Sequence, residues 1–227
     1  MRKGEVRRQS ILDVSEHLFC RKGYSETTVD DILRELQCSK GSFYHYFESK
    51  ISVLSAICEA KVQKNFDLYK QKRFGSTREK FNALLYHAQW FRPEEEEFLF
   101  LMLRLRGREE CAVIDGALRA AMRSTFKDEF TEVMMILSET GAAHLARMGL
   151  ENLVFETFTA FYDEICEVIL RCVREGVSVA DPFTEAVSAA RFLFERTLDM
   201  DYGSVEIVHL PEAIPMAERI AQQLRSK

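Results

Sequence analysis

The stretch Thr27–Lys50, TTVDDILRELQCSKGSFYHYFESK, constrains this chain more than any other. Thr27 or Thr28 can cap a helix, and Asp31 lies three residues after Thr28, as in a capping box. Val29, Ile32, Leu33 and Leu36 then recur at helical spacing and give one apolar face. Gln37 and Cys38 make a break, and Ser39 offers a second N-cap before the segment Lys40 to Phe47. Two helices of roughly two turns, joined by a turn of about four residues, have the spacing of a helix-turn-helix.

The second of these helices has an unusual composition for a buried element. Phe43 and Phe47, at i and i+4, form an inward pair, which leaves Lys40, Ser42, Tyr44, His45 and Tyr46 facing outward. Lys, Ser and Tyr side chains, with the backbone N–H groups of a helix start, are common ligands of phosphates and base edges.

The motifs T-T-V-x-D-I and S-K-G-S-F-Y-H-Y-F-x-S-K resemble the DNA-binding domain of the TetR/AcrR family of bacterial transcriptional regulators, over roughly residues 7 to 55. The resemblance implies an all-α fold: a three-helix helix-turn-helix domain over residues 1–50, a linking helix 50–73, and a larger helical effector-binding and dimerisation domain over 74–227. It implies a repressor that grips double-stranded DNA as a homodimer. Carried over position by position, Lys40, Gly41 and Ser42 approach the bases, and Tyr44 and His45 reach base edges or the sugar-phosphate wall. Tyr46 and Lys50 match positions that grip phosphates, and Thr28 caps its helix toward the DNA backbone. Two positions depart from the family pattern. Leu33 stands where a small residue is usual, and Gln37 stands where glycine is usual, so Gln37 must make the turn without glycine's freedom.

The net charge of −5 becomes intelligible when split. Residues 1–73 carry 14 Lys and Arg against 10 Asp and Glu, and residues 74–227 carry 17 against 26, so a basic head precedes an acidic body. That asymmetry fits a DNA-facing end. Arg2, Lys3, Arg7 and Arg8 lead the chain, either as a solvated tail or as an arm reaching phosphates. A first helix over 2–22, with Ile11, Val14, Leu18 and Phe19 inward, stops at Gly23, where Tyr24 is placed to close a C-terminal cap.

The body reads as helices at about 77–91, 94–106, 112–139, 151–175, 183–200 and 211–225. Only Val205 to His209 alternates like a strand, too isolated to make a sheet. Aromatics are dense, and serve either as core and subunit interface or as the wall of a cavity for a small, largely apolar or aromatic effector. Phe98, Arg104, Phe126, Phe130, Phe158 and Tyr162 are the candidate effector residues, with His144 and Asp163 as further polar neighbours. The segments 151–175 and 183–200 are apolar over wide arcs and need a second partner surface. By the resemblance these form the dimer interface, with Phe161, Ile165, Ile169, Phe192 and Phe194 as candidates.

The rival readings are weaker. There is no G-x-G-x-x-G, no P-loop and no H-E-x-x-H, so no enzyme and no cofactor is expected. A helical adaptor would explain the body but not the outward face of Lys40–Lys50. Six cysteines are scattered without metal-ligand spacing, as buried apolar groups or as redox sensors. With no run of about eighteen apolar residues and no signal-peptide pattern, a cytoplasmic protein without a membrane partner is expected.

Overall fold

The computed structural model describes residues 3–143 and 150–226. Arg2 and His144, named above, lie outside them. Among the described residues there are ten α-helices, one 3₁₀ turn and no strand. The helices are α1 (Lys3–Lys22), α2 (Val29–Leu36), α3 (Lys40–Tyr44), α4 (Lys50–Lys70), α5 (Thr77–His87), α6 (Glu96–Leu105), α7 (Cys111–Glu139), α8 (Leu150–Glu175), α9 (Ala180–Thr197) and α10 (Leu210–Arg225). The 3₁₀ turn, Pro93–Glu95, leads into α6. The order follows the expected helices closely. No helix among the described residues is long and apolar enough to cross a membrane.

Two compact units result: Met1–Gln63 with Phe100–Ala121, and Lys64–Leu99 with Met122–Lys227. The division is discontinuous, whereas the sequence suggested one break near residue 74. The break at Phe74–Ser76 does end α4 and cap α5, since Ser76 accepts from the Glu79 backbone N–H. It does not divide the packing, because the second half of α6 and the start of α7 join the N-terminal unit.

In the N-terminal unit, α1 buries Ile11, Leu12, Leu18 and Phe19. It ends at Gly23 with φ of 105°, a left-handed position that glycine occupies without strain. Tyr24 then turns back onto Phe19, ring centroids 5.1 Å apart, as the cap pattern requires. Arg7 and Arg8 belong to α1 itself, and the Arg8 guanidinium lies 5.2 Å from the Phe47 ring centroid.

In the C-terminal unit, α8, α9 and α10 pack on one another. The aromatics form a continuous core: Phe66 on Phe126, Phe81 on Phe130, Phe130 on Phe155, Phe158 on Phe194, and Phe91 on Phe183. Val205 to His209 is not a strand. Val205, Ile207 and Val208 are buried in a loop whose backbone is held by side chains. Asn82 Nδ2 donates to the Ser204 carbonyl (3.0 Å), its Oδ1 accepts from Glu206 N–H (3.1 Å), and Glu195 accepts from Val205 N–H (3.1 Å). The alternation therefore records burial on one side of a pinned loop.

Candidate nucleic-acid interface

The helix-turn-helix is assembled by caps. Thr28 Oγ1 accepts from Asp31 N–H (3.1 Å), and Asp31 Oδ2 accepts from Thr28 N–H (3.0 Å), completing the capping box. The Lys22 ammonium, 2.6 Å away, and the Thr28 bonds hold the Asp31 carboxyl far below the usual carboxylate range. At the other end of α2, Gln37 takes the left-handed conformation, φ 48° and ψ 47°. Its N–H and that of Cys38 close on the last carbonyls of α2. Leu33, the other departure from the family pattern, is buried.

Helix α3 is five residues long, shorter than the expected Lys40–Phe47. Ser39 caps it by accepting from Ser42 N–H (3.3 Å), and Phe43 and Phe47 anchor it inward, as their spacing required. His45 and Tyr46 form a turn, because Phe47 must swing in before Ser49 and Ser52 cap α4 reciprocally. Lys40, Gly41, Tyr44 and His45 are exposed, while Ser42 and Tyr46 are half-buried. A Cβ built at Gly41 would meet nothing within 4 Å, so its backbone is open to close approach. Lys40 lies 3.2 Å from Asp30, both side chains exposed, which makes this an exchangeable pair. The Tyr46 hydroxyl lies beside Gly4 of α1.

Lys50 is placed differently from its expected role. Its ammonium donates to the carbonyls of Tyr24 (2.6 Å) and Thr27 (2.8 Å) and lies 4.1 Å from the Tyr24 ring centroid. Burial lowers its pKa, against the pull of Glu110 and Glu26. The residue ties the loop between α1 and α2 to the start of α4. From the end of α6, Arg108 donates to Ser25 Oγ (2.8 Å), and Arg104 faces Glu26 at 3.8 Å.

Arg104 belongs to the N-terminal unit, whereas the other candidate effector residues belong to the C-terminal unit. Of its companion candidates, Phe98, Phe126, Phe130 and Phe158 are buried core, and Tyr162 packs on Phe91. Among the dimer candidates, Phe161, Ile165, Ile169 and Phe194 are buried by the chain itself, so they are interior positions. Phe192 is exposed, as are Leu153 and Leu193. Leu153 and Leu193 line a groove of about 120 Å³ with Val154, Thr157, Phe194 and Thr197.

Polar groups that the sequence reading passed over lie in the same unit: Asn65, His87, Gln89, Arg92, Glu95 and Glu129 are all buried. Burial would raise the Glu129 pKa, but hydrogen bonds from Lys70, Lys80 and Tyr69 outweigh it and hold the carboxyl at about 2. None of the six cysteines forms a disulfide, and Cys58, Cys166 and Cys172 are buried. Burial pushes the Cys58 thiol up to about 12. Among the described residues no group of three metal-ligating side chains occurs.

What this fold and face define is a helix-turn-helix domain carried on a larger helical body. Residues 11–57 match the profile of the bacterial regulatory proteins of the tetR family. An uncharacterized HTH-type transcriptional regulator of Lactococcus lactis subsp. lactis is 39% identical over 56 residues, 25% of this chain and 29% of that protein. The transcriptional regulator AcuR of Cereibacter sphaeroides is 51% identical over 52 residues, 23% of this chain and 24% of its own length. The match therefore spans less than a third of these curated relatives. A chain of solved structure from Rhodococcus sp., described as a TetR-family transcriptional regulator, shares the fold: TM-score 0.58 at 21% identity, over 83% of this chain and 98% of that one.

Proposed function

We propose that this chain is a DNA-binding transcriptional repressor that grips a near-palindromic operator as a homodimer and is released by a small-molecule effector bound in its C-terminal unit. The observation carrying this reading is the outward face of α3, where Lys40, Gly41, Tyr44 and His45 stand exposed on a helix pinned from behind by Phe43 and Phe47. A helix so anchored is preorganised to enter a major groove, with Lys40, Gly41 and Ser42 nearest the bases. Tyr44 and His45 reach base edges or the groove wall. Tyr46 and the α2 N-terminus at Thr28 take phosphates, which position the domain without reading sequence.

Two such helices bind one operator when their spacing is about 34–36 Å, one turn of DNA. Dimerisation supplies that spacing, and the exposed Leu153, Phe192 and Leu193 on α8 and α9 are the surface assigned to it. The effector acts by favouring the DNA-incompetent arrangement, a coupling of typically about 1–3 kcal/mol. Helix α4 is the covalent route, since it starts beside the recognition helix and ends in the C-terminal unit.

The test is fluorescence anisotropy of the purified chain on DNA flanking its own gene, against random DNA, at several salt concentrations. Preferential binding that weakens linearly in log–log with salt is expected. Lys40→Ala or Tyr44→Ala should alter the ranking of operator variants as well as the overall affinity. Equal affinity for all DNA would remove the operator from the reading. No binding at all would leave the helical adaptor.

A further inference from the structure

We propose that Asn65, His87 and Arg92 form the polar end of a ligand site inside the C-terminal unit, built for the carboxylate of a small organic acid. This rests on the reading that an effector binds in that unit, and it names the effector's chemical class. All three side chains are buried, Asn65 with 1% of its surface exposed and Arg92 with none. They belong to neighbouring elements of one unit. Asn65 shares a face of α4 with Tyr69, four residues on, and the Tyr69 ring lies 6.3 Å from that of His87 at the end of α5. His87 Nδ1 is 3.4 Å from Arg92 Nη1.

The donor count decides what fits. A guanidinium only donates, so His87 Nδ1 must accept, which puts the imidazole proton on Nε2. That Nε2–H meets no acceptor, nor does Arg92 Nε–H, and neither end of the Asn65 amide has a partner. Three buried donor nitrogens, carrying four N–H bonds between them, and a single acceptor oxygen are left over. Buried N–H groups without acceptors are costly, and folds retain few of them. In the same unit Glu129 is satisfied through Tyr69 at 2.9 Å, Lys70 at 2.7 Å and Lys80 at 2.9 Å.

A group rich in lone pairs and free of protons answers a surplus of donors, and a carboxylate is the simplest such group. Burial, then the charges of Arg92 and Lys72, outweigh Glu94 and push the His87 pKa down to about 4, so the ring is neutral near pH 7. Arg92 is held in place by Glu95 at 3.5 Å and the half-exposed Glu94 at 3.1 Å. The rings of Tyr69 and Phe66, stacked at 6.0 Å, suit a short apolar tail. A compact acid with a polar head thus replaces the largely apolar effector that the aromatic content alone suggested.

The experiment is thermal unfolding of the full chain with about 10 mM sodium salts of the straight-chain two- to six-carbon monocarboxylic acids and of benzoic acid. Matched primary amides and sodium chloride serve as controls. At least one acid should raise Tm by roughly 3–5 °C, and its amide should not. Asn65→Leu, near in volume and without polar atoms, should abolish that rise while leaving the ligand-free Tm unchanged or higher. A panel without any shift overturns the proposal. So does an Asn65→Leu chain that melts several degrees lower without ligand, since the amide is then held by buried water in a structural role. Operator affinity is measured separately. An acid that raises Tm and weakens operator binding supports both readings. One that raises Tm without changing operator binding keeps the site and removes release by that effector.

Discussion

Gln37 shows how much one backbone angle in this fold costs. It holds a left-handed conformation at φ 48° so that its own N–H and that of Cys38 can close the end of α2. A Cβ in that region is strained, and glycine carries no such penalty. Part of the gain is lost because glycine has more freedom to lose on folding. Gln37→Gly should therefore stabilise by about 0.5 kcal/mol, raising Tm by roughly 1–2 °C in a circular-dichroism melt. A lower Tm would mean that the Gln37 side chain makes a contribution the turn depends on. At this scale the sequence was legible where chemistry is local: the capping box of Thr28 and Asp31 and the Ser39 cap follow from residue type and spacing, while the turn at Gln37 was expected only from the family resemblance. The direction of a long side chain is not local. Nothing in the spacing of Lys50 says that its ammonium turns back to carbonyls 26 and 23 residues earlier.

At the level of elements, α3 is too short to persist alone, and its position depends on what fixes the turns around it. Lys50 is central, because one ammonium satisfies two carbonyls in the loop that leads into α2 while lying at the first turn of α4. Lys50→Met keeps the stem and removes both charge-assisted bonds, a loss of about 1.5–3 kcal/mol. Tm should fall by roughly 3–8 °C, while the salt slope of DNA binding stays that of the wild type, since no phosphate contact is removed. A slope lowered by about one, with Tm unchanged, would return Lys50 to the phosphate. The helices of the body were readable from periodicity and breakers. The loop at Val205 to His209 was not, because its order comes from the side chains of Glu195, in the preceding helix, and of Asn82, far away along the chain.

For the whole molecule, the question is which apolar surface is left once the chain has packed on itself. The wide arcs of α8 and α9 announced a second partner, but a sequence pattern does not say which sector the chain's own helices occupy. Ile165 and Ile169 are fully covered, whereas Leu153 and Leu193 each keep 57% of their surface exposed beside Phe192 at 50%. The two classes of position predict opposite phenotypes. Leu153→Glu with Leu193→Glu places charges on the surface proposed for the second copy, so the chain should sediment as a monomer at micromolar concentration with little change in Tm. Operator affinity should drop to that of one half-site, because one recognition helix then binds without its partner. Ile165→Ala should do the reverse: a buried cavity costs about 2–5 kcal/mol of stability, yet the sedimentation coefficient of the folded fraction should not change. A double glutamate chain that remains dimeric, or an Ile165→Ala chain that dissociates before it unfolds, would move the interface from the exposed leucines to another face.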